Sequence, residues 1–386
     1  MRRRVAIVFG GRSAEHEISC ISARSVMDAL DPDRYEIVPI GVTKDGRWQL
    51  VPGGPPALPA DPATALPQVG DASGPEVSLD QEPGARALVA EDGSRTPIDV
   101  VFPVMHGPYG EDGSIQGFLE MAGVPYVGAG VLGSAVGMDK AVQKVLFREA
   151  GIPVVEHEVV REREWQEDRE AVGARAGHLG YPMFVKPAAL GSSVGIRKIH
   201  GVQELSSAVD EAFRYGRKVV LERSVEGARE IEVAVLGNDD PVASVAGEIV
   251  PAGGHEFYDY EAKYVDEHGA NLLVPAELPP GALDEVQRLA IAGFRAVECS
   301  GMARVDFFLL SDGSLLLNEI NTIPGFTRIS MYPKLWEASG LAYPALIDRL
   351  VELALERHAG ERKRGTVLGA GSGSSPQARA EGPNGL

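Results

Sequence analysis

The sequence contains little cysteine and no long apolar segment. Its 386 residues include only Cys20 and Cys299, which form no C-x-x-C motif, so a disulfide scaffold and a thiolate zinc site are excluded. No stretch approaches the roughly 18 apolar residues that a membrane-spanning helix needs. The basic start, Met1-Arg-Arg-Arg4, resembles a signal peptide, but the apolar run Val5–Phe9 is shorter than the about 7–15 residues of a secretory core. We therefore expect a first core strand at this position.

Positive charge is scarce as well. The chain carries 37 Lys plus Arg against 55 Asp plus Glu, a formal net charge of −18. This balance argues against a nucleic-acid binder and against a protein held on anionic membranes. At about 150 residues per domain, the length predicts two or three domains. We expect a soluble cytoplasmic protein of enzyme size.

Two segments lack the hydrophobic periodicity of folded elements. Between Pro52 and Pro75 there are seven prolines and four glycines in 24 residues. Because such a segment buries too little apolar surface to offset its ordering entropy, we interpret residues 51–95 as a loop insertion. Residues 365–386 are similarly poor in large apolar side chains, and we expect a disordered tail after a solvated basic cluster, Arg362-Lys-Arg364.

Strands and helices alternate in the first third of the chain. Val5–Phe9, Glu36–Val42 and Val100–Val104 are compact β-rich runs, and Glu15–Leu30 and Ser114–Ala122 are helical candidates between or after them. This order predicts an α/β domain around a parallel sheet, with sites at the strand ends.

The pattern changes after Gly133. Apolar residues recur there at helical spacing in two segments, and we interpret them as core positions: Leu205, Ala208, Val209, Ala212 and Phe213, then Val286, Leu289, Ala290, Gly293, Phe294 and Val297. The strands around them are expected to be antiparallel, at Met183–Lys186, Val194–Ile199, Val219–Glu222, Glu230–Leu236, Val242–Ile249, Ala303–Leu310 and Ser314–Ile320.

The most informative segment is a hairpin with paired carboxylates. Asp312-Gly313 is a strong two-residue turn signal between two hydrophobic runs. A turn there places Asp306 opposite Glu319 and Arg304 opposite Asn321. Period-two alternation puts all four on one face, together with further apolar residues: Phe308, Leu310, Leu315 and Leu317.

Two interpretations of this face remain open from the hairpin alone. Two carboxylates and an amide oxygen are a hard-oxygen ligand set suited to Mg²⁺. Alternatively, Arg304 neutralises one carboxylate on an exposed polar face, which contributes about 0–1 kcal/mol to stability. The following Thr322-Ile-Pro-Gly325 favours a ligand site, since glycine lets backbone N–H groups approach an oxyanion closely.

A glycine-rich loop lies between two predicted strands. The run Phe184–Ile196 contains Gly-Ser-Ser-Val-Gly but not the G-x-x-x-x-G-K-[ST] pattern of a P-loop. We expect a hairpin flap whose backbone N–H groups and hydroxyls fold over phosphates. Lys186 is placed to contact the same phosphates, and Lys140 offers a second ammonium. Together with the carboxylate hairpin, this loop predicts two sheets closing on a magnesium nucleotide.

These motifs resemble those of the D-alanine–D-alanine ligase family of the ATP-grasp superfamily, along nearly all of the folded length. Six segments carry the resemblance in the family's order: Gly10–Ser19, His106–Gly113, Met138–Lys140, Lys186–Gly195, Phe257–Tyr264 and Asn318–Gly325. The proline-rich insertion and the tail lie outside it.

The resemblance implies an N-terminal parallel-sheet α/β domain followed by an ATP-grasp fold of two sheets that sandwich the nucleotide. The implied boundaries are 1–130 for a substrate domain with the insertion at 51–95, 131–222 and 223–360 for the two ATP-grasp subdomains, and 361–386 for the tail. It also implies a cytoplasmic homodimer that ligates two D-alanines with ATP and two Mg²⁺ ions, which Mn²⁺ can replace, for peptidoglycan synthesis.

The resemblance further implies a role for each matching residue. Asp306, Glu319 and Asn321 would bind the metal ions, and Lys140, Lys186 and Lys263 would contact the ATP phosphates. Glu222, Arg223, Val225 and Glu230 would hold adenine and ribose. Glu15, with His106 nearby, would bind the ammonium of the first D-alanine. Arg304 and the Gly325 amide would polarise the reacting carboxyl, and Ser330 with Met331 would hold the second D-alanine. Ser192 and Tyr264 would link with Glu15 to keep a loop closed.

Some alternatives remain open at this stage. Glu15 also suits the first turn of a helix with Ser13 as its N-cap, and a strand-end histidine such as His106 is as often structural as functional. A ligase that takes D-lactate or D-serine second is a rival function, although Glu261–Tyr264 looks like the dipeptide-forming type. A catalytically silent ATP-binding regulator on the same fold is the other alternative.

Overall fold

The computed structural model describes residues 2–55, 66–70, 73–80, 82, 84–191, 193–251, 270–327 and 329–363. Strands in these ranges form four sheets, with helices packed on them. Among the helices of these ranges, none combines the length and apolar character needed to cross a membrane. Both cysteines are buried free thiols.

The elements follow one another in the chain as β1 (Arg3–Gly10), α1 (His16–Ala29), β2 (Tyr35–Val42), β3 (Trp48–Leu50), β4 (Val77–Leu79), β5 (Ala87–Ala90), β6 (Arg95–Pro97), β7 (Val100–Pro103), α2 (Ser114–Met121), α3 (Val131–Met138), α4 (Lys140–Glu149), β8 (His157–Arg161), α5 (Glu162–Glu167), α6 (Arg169–Ala176), β9 (Met183–Pro187), β10 (Arg197–Ile199), α7 (Val202–Ala212), β11 (Lys218–Arg223), β12 (Arg229–Gly237), β13 (Val242–Pro251), β14 (Ala270–Leu273), α8 (Ala282–Ala296), β15 (Gly301–Leu309), β16 (Leu315–Asn321), α9 (Met331–Ala338) and α10 (Tyr343–Arg362).

The first sheet has the order β3-β2-β1-β7. Strand β1 pairs in parallel with both β2 and β7, as the alternation of strands and helices predicts. The apolar run Val5–Phe9 is fully buried at the centre of this sheet. The predicted strands and the helices α1 and α2 are confirmed to within about two residues, the usual uncertainty of element ends.

The interpretation of residues 51–95 as one loop insertion is wrong. This part of the chain contains a small antiparallel sheet of β4, β5 and β6. Val77, Leu79 and Leu88 from this sheet are buried in the same cluster as Val8 and Ile40 of the first sheet. The prolines are concentrated before Pro75, and the apolar residues after it bury enough surface to form strands. Residues 56–65, which include three of the prolines, lie outside the described residues.

The second sheet is antiparallel, in the order β10-β9-β11-β8. The helical positions predicted as core in α7 pack against its inner face beside Met183 and Val185. The strand expected at Val194–Ile199 is shorter in the structure, because Ser193 and Gly195 have positive φ angles of 57° and 72° and turn the chain before β10 begins.

The third sheet is also antiparallel, in the order β14-β13-β12-β15-β16. Helices α4 and α8 contribute to the core on one face of this sheet, where Phe147 and Phe294 pack beside Leu317. The predicted core residues of α8 are confirmed: Val286, Leu289, Ala290, Gly293 and Phe294 are buried.

Helix α10 joins the third sheet to the first. Its residues Leu346 and Leu350 belong to one buried cluster with Ile7 of β1 and Ala234 of β12. The helix continues through Arg362, so the boundary of the expected tail at residue 361 is wrong by two residues. An i,i+4 ion pair between Arg357 and Glu361, 3.8 Å apart, accompanies this last turn. Residues 364–386 lie outside the described ranges.

Candidate functional site

The predicted carboxylate hairpin exists, with a shift in its register. Arg304 pairs with Asn321 and Asp306 with Glu319, as expected from the turn at Asp312-Gly313. Beyond Asp306 the register shifts by one residue, so that Phe307 pairs with Leu317 and Asn318 is the extra residue of a β-bulge.

The bulge corrects one part of the prediction. Leu315 and Leu317 were expected on the carboxylate face, but they lie in the hydrophobic core on the opposite face. One additional residue in a strand reverses the faces of the residues beyond it, because side chains alternate with a period of two. Phe308 remains on the carboxylate face and lines the cavity described below.

Arg304 neutralises the carboxylate of Asp306. Its Nε and Nη2 donate to Asp306 Oδ1 and Oδ2 at 2.8 and 2.7 Å, and its Nε is also 3.1 Å from Glu232 Oε2. Burial alone would lower the pKa of Arg304, but Asp306 and Glu232 outweigh it and hold that pKa well above its ordinary value. The neutralising arginine therefore exists, although the pair is largely buried, with the two side chains 15% and 13% exposed, rather than on an exposed face.

Lys140 neutralises the opposing carboxylate. It is the first residue of α4, and its Nζ lies 2.9 Å from Glu319 Oε2 and donates to the Leu190 carbonyl at 3.0 Å. Burial would lower the pKa of this lysine, but Glu319 reverses the direction and raises it. Lys140 thus links the carboxylate hairpin to the glycine-rich connection after β9.

Lys186 contacts a different carboxylate, on the neighbouring strand β11. Its Nζ forms an ion pair with Glu222 Oε1, and Glu222 Oε2 lies 2.7 Å from the Nζ of Lys144. Burial opposes the charge of Glu222, yet the two lysines lower its pKa to about 2. Glu222 is therefore a buried, permanently ionised carboxylate at neutral pH.

Lys140, Lys186, Arg304, Asp306 and Glu319 border one cavity between the second and third sheets, whereas Glu222 and Lys144 lie behind its lining. Its lining comes from α4, from the strand and connection around β9, and from β12, β15 and β16: Lys140, Phe184, Lys186, Ser193, Ile196, Glu230, Ile231, Glu232, Arg304, Asp306, Phe307, Phe308, Asn318 and Glu319. Two sheets thus enclose a space lined by cations and carboxylates, as the loop and the hairpin together predict.

Asp306, Glu319 and Asn321 offer hard oxygen donors that fit Mg²⁺ chemically. The two carboxylates face each other across β15 and β16, and Asn321 Oδ1 accepts the Ile323 N–H at 3.1 Å. Within the described ranges no group of three or more His, Cys, Asp or Glu side chains is placed to hold a metal, and this set has only two carboxylates. Because Mg²⁺ takes six ligands, an ion held by this set would need further oxygen ligands from water or from a bound molecule.

A second cluster surrounds Glu15, which directly precedes α1. A methyl group added at Gly107 would lie 2.6 Å from Glu15 Oε2, and one added at Gly191 would lie 3.1 Å from the same oxygen. Glu111 Oε2 accepts the Gly107 N–H at 2.7 Å. Burial, together with the Glu15 charge, raises the pKa of Glu111 well above its usual range. The glycines are therefore required for close approach to these carboxylates.

His106 is buried beside this cluster. Its Nδ1 donates to the Ile323 carbonyl at 3.2 Å, and its Nε2 lies 3.1 Å from Ser22 Oγ. Burial lowers the pKa of His106, which favours the neutral ring. Since a carbonyl can only accept, the proton is on Nδ1 and Nε2 accepts from Ser22. His106 thereby ties the end of the first sheet to the segment after β16.

The residues expected around the second substrate lie together after β16. A methyl group added at Gly325 would lie 2.9 Å from Ser330 Oγ, and that hydroxyl accepts the Thr327 N–H at 3.2 Å. Met331 begins α9 and is buried against Gly247 of β13. Gly325 and Ser330 thus lie close together beyond the end of the carboxylate hairpin.

Not all predicted residues converge on the cavity. Arg223 is exposed, 2.8 Å from Glu156 Oε2, and donates to the His178 carbonyl at 3.1 Å. Val225 lies in the connection between β11 and β12, half-buried, whereas Glu230 lines the cavity. Ser192, Lys263 and Tyr264 lie outside the described residues.

The sequence reasoning missed two buried charged residues, Lys144 and Glu232. Lys144 lies one helical turn after Lys140, on the same buried face of α4 as Phe147. A lysine at an apolar-face position of a helix could have indicated a buried charge. Glu232 follows Glu230 with strand periodicity on β12.

Family models cover most of the chain. A model described as D-ala D-ala ligase N-terminus matches residues 4–129, and one described as D-ala D-ala ligase C-terminus matches residues 146–352. The N-terminal match spans residues 51–95, which were expected to lie outside the resemblance.

Individual relatives agree with these models. The D-alanine–D-alanine ligase of Paenarthrobacter aurescens is 50% identical over 370 residues, which cover 94% of this chain and 97% of that protein. Among solved structures, the D-alanine–D-alanine ligase of Coxiella burnetii superposes with a TM-score of 0.80 at 38% identity, over 94% of this chain and 96% of that one. The VanG D-Ala:D-Ser ligase of Enterococcus faecalis superposes with a TM-score of 0.78 at 32% identity, over 92% and 100%.

Proposed function

The chain belongs to the D-alanine–D-alanine ligase family, and on that premise we propose that it joins two D-alanines into D-alanyl-D-alanine for peptidoglycan precursors. ATP is cleaved to ADP and phosphate in the reaction. The observation that carries the proposal is one cavity between two sheets that is lined by three cations, Lys140, Lys186 and Arg304, and by the opposed carboxylates Asp306 and Glu319.

The cavity suits the phosphates of ATP. Lys140 and Lys186 project ammonium groups into it, and both are bound to carboxylates whose place phosphate oxygens can take. Lys263 would add a third ammonium. Glu222, Arg223, Val225 and Glu230 would hold adenine and ribose, with Glu222 kept ionised as an acceptor by its lysines.

Asp306, Glu319 and Asn321 would hold two Mg²⁺ ions, or Mn²⁺ in their place. Such ions neutralise phosphate charge during phosphoryl transfer. Arg304 and Lys140 supply the counter-charge that lets two opposed carboxylates remain on neighbouring strands in the structure. The donor set and its counter-charges therefore support a site in which a magnesium nucleotide takes over the contacts that these charged side chains make with one another.

The chemistry requires an activated carboxyl group. A carboxylate oxygen of the first D-alanine attacks the γ-phosphorus, and the bond to the bridging oxygen of ADP breaks. The amine of the second D-alanine then attacks the carbonyl carbon of the acyl phosphate, and phosphate leaves. Arg304 and the Gly325 N–H would stabilise negative charge at the reacting carboxyl. The attacking amine must first lose a proton, and its reference pKa of about 7.7–8.0 makes only modest help necessary.

The two amino acids would occupy the clusters on either side of the phosphates. Glu15, with His106 beside it, would bind the ammonium of the first D-alanine. Ser330 and Met331 would hold the carboxylate of the second. Ser192 and Tyr264 would connect with Glu15 to exclude water from the acyl phosphate. The proximity of Gly191 to Glu15 supports this, since Ser192 is the next residue.

We also propose a homodimer that acts in the cytoplasm, where ATP is available. Exposed apolar side chains on three consecutive helices support the dimer: Phe118 and Met121 on α2, Leu132 on α3 and Val145 on α4. A cluster of exposed apolar side chains is typical of a protein interface. The domain boundaries at 130 and 222 stay as proposed, and the last domain extends through the end of α10 at Arg362.

Phosphate release tests the function. The protein is incubated with ATP and Mg²⁺ and with single D- or L-amino acids, and the product is identified by mass spectrometry. We expect phosphate and D-alanyl-D-alanine with D-alanine alone. Equimolar D-lactate or D-serine added to D-alanine tests the rival ligases, and a predominant depsipeptide or D-alanyl-D-serine would replace the first proposal. No phosphate release with D-alanine and magnesium ATP would favour an ATP-binding regulator.

A further inference from the structure

Lys144 is a buried lysine to which the proposed chemistry assigns no role. Its side chain is 1% exposed, and its Nζ contacts two different strands. It lies 2.7 Å from Glu222 Oε2 on β11 and donates to the Asn318 carbonyl on β16 at 2.9 Å. One ammonium on α4 therefore connects the second sheet to the third at the cavity.

The contact with Asn318 has a structural reason. Asn318 is the extra residue of the bulge, and such a residue is displaced from the regular hydrogen-bond ladder. Lys144 donates to its carbonyl, and Gln143 Oε1 accepts the Ile320 N–H at 2.9 Å. Two adjacent residues of α4 thus hold the strand on both sides of Glu319, and this fixes where the Glu319 carboxylate points.

The contact with Glu222 has an electrostatic reason. Glu222 is buried between the ammonium groups of Lys144 and Lys186, so the three residues together carry one positive charge. Without Lys144, Lys186 would be the nearest cation for a buried carboxylate, and their pair would be neutral. Removing one partner of a buried ion network leaves a charge that the remaining partner must compensate.

We infer that Lys144 is a positioning residue for ATP. It supplies the permanent counter-charge of Glu222, so that Lys186 can turn to the nucleotide phosphates, and it fixes the bulge that presents Glu319. This role deepens the proposed ligase function and rests on it. It predicts that loss of Lys144 weakens nucleotide binding more than D-alanine binding. Its ammonium contacts Glu222, which is the partner of Lys186, and the strand that carries Glu319, and the proposal assigns both Lys186 and Glu319 to ATP and its metal ions.

The test compares Lys144→Met with a matched control, Arg148→Met. Arg148 lies one turn later on the same helix and is exposed, so its substitution removes a cation from α4 without touching the cavity. The readouts are direct ATP binding by calorimetry and the separate KM values for ATP and D-alanine. We expect Lys144→Met to weaken ATP binding and raise the KM for ATP about tenfold or more, with a change below about twofold in the KM for D-alanine. Arg148→Met should match the wild type.

A second variant covers the case in which Lys144→Met does not fold. Lys144→Met combined with Glu222→Gln removes the carboxylate that would be left without its cation, and it should fold and still bind ATP weakly. A double variant as unfolded as the single one would overturn the inference, as would wild-type ATP affinity in Lys144→Met or equal changes in both KM values. Failure of the wild type to bind ATP would instead reject the proposed function.

Discussion

Asp306 and Glu319 are paired directly across β15 and β16, and each is bound to a different cation, Arg304 and Lys140. Like charges in opposed positions destabilise a sheet unless a counter-charge is present. The arrangement is therefore maintained by cations that belong to the site itself. A ligand that brings its own cations can therefore replace Arg304 and Lys140 as partners of Asp306 and Glu319, and neither carboxylate is left without a counter-charge.

Asp306→Asn should lower turnover by about 100-fold or more, the order observed when one electrostatic contact with developing charge is removed. The fold should persist, because asparagine has nearly the same shape. Steady-state phosphate release and the melting temperature measure the two effects. Asp312→Asn, in the exposed turn of the same hairpin, is the control and should change neither. Wild-type turnover in Asp306→Asn would contradict the assignment of the hairpin.

Arg304→Met should destabilise the protein by about 3 kcal/mol, because it leaves the buried Glu232 and the largely buried Asp306 without their arginine. Urea denaturation measures the free energy of unfolding. Arg4→Met is the comparison, since Arg4 forms a partly exposed pair with Asp99 and its loss should cost at most about 1 kcal/mol. Equal losses in the two variants would show that burial of the Arg304 pair contributes nothing.

Gly107→Ala should raise the KM for D-alanine by about tenfold, the change that about 1.4 kcal/mol of lost binding produces. The added methyl group would lie 2.6 Å from Glu15 Oε2 and would displace this carboxylate. Gly93→Ala is the matched control, since Gly93 has a similar φ of 80° against 76° but has no atom near the added methyl group. Both variants carry the same backbone strain, so an equal change in KM would reject a role for Glu15 in binding D-alanine.

Glu222 should contribute to stability in a defined range of pH. Its pKa is about 2 in the folded protein, below the about 4.3 expected for an unfolded chain. A depressed carboxyl pKa stabilises the fold above the unfolded value, and the contribution is lost as pH falls from about 4.3 toward 2. The difference in unfolding free energy between the wild type and Glu222→Gln should be constant from pH 7 to 5.5 and shrink below pH 4.5. A difference that grows on acidification would contradict the ion pairing.

Leu132→Glu should convert the proposed dimer to a monomer. The proposed interface is the face formed by the exposed apolar side chains of α2, α3 and α4. Leu132 is 59% exposed on α3, and a glutamate buried there by a partner would oppose association. Light scattering after size exclusion measures the mass. Val202→Glu is the control, because Val202 is 69% exposed at the start of α7, outside this face. A wild-type monomer, or a dimer that persists in Leu132→Glu, would exclude this face as the interface.

The pairing of Asp306 with Glu319 could be predicted from the sequence because the Asp312-Gly313 turn and the alternation agree. The bulge at Asn318 could not, since nothing in Leu-Leu-Leu-Asn-Glu marks which residue leaves the ladder. Its position depends on contacts from α4, through Lys144 and Gln143, which are more than 170 residues away in the chain.

The segment after Pro75 shows a different limit. Composition averaged over residues 51–95 is dominated by the prolines, and it conceals Val77 and Leu79, which are buried against the first sheet. Glu15 shows a third limit of prediction from the sequence, because a glutamate suits the start of a helix as well as a ligand-binding position. Only the approach of Gly107 and Gly191 from distant parts of the chain distinguishes the two.

The connection after β9 is held at two successive residues by groups from different subsites. Lys140 binds the carbonyl of Leu190, and Glu15 lies against Gly191. On the proposed function, a nucleotide that takes over the ammonium of Lys140 would free the carbonyl of Leu190, and an amino acid bound at Glu15 would lie beside Gly191. The binding of the two substrates is therefore expected to be coupled through two neighbouring residues of this connection.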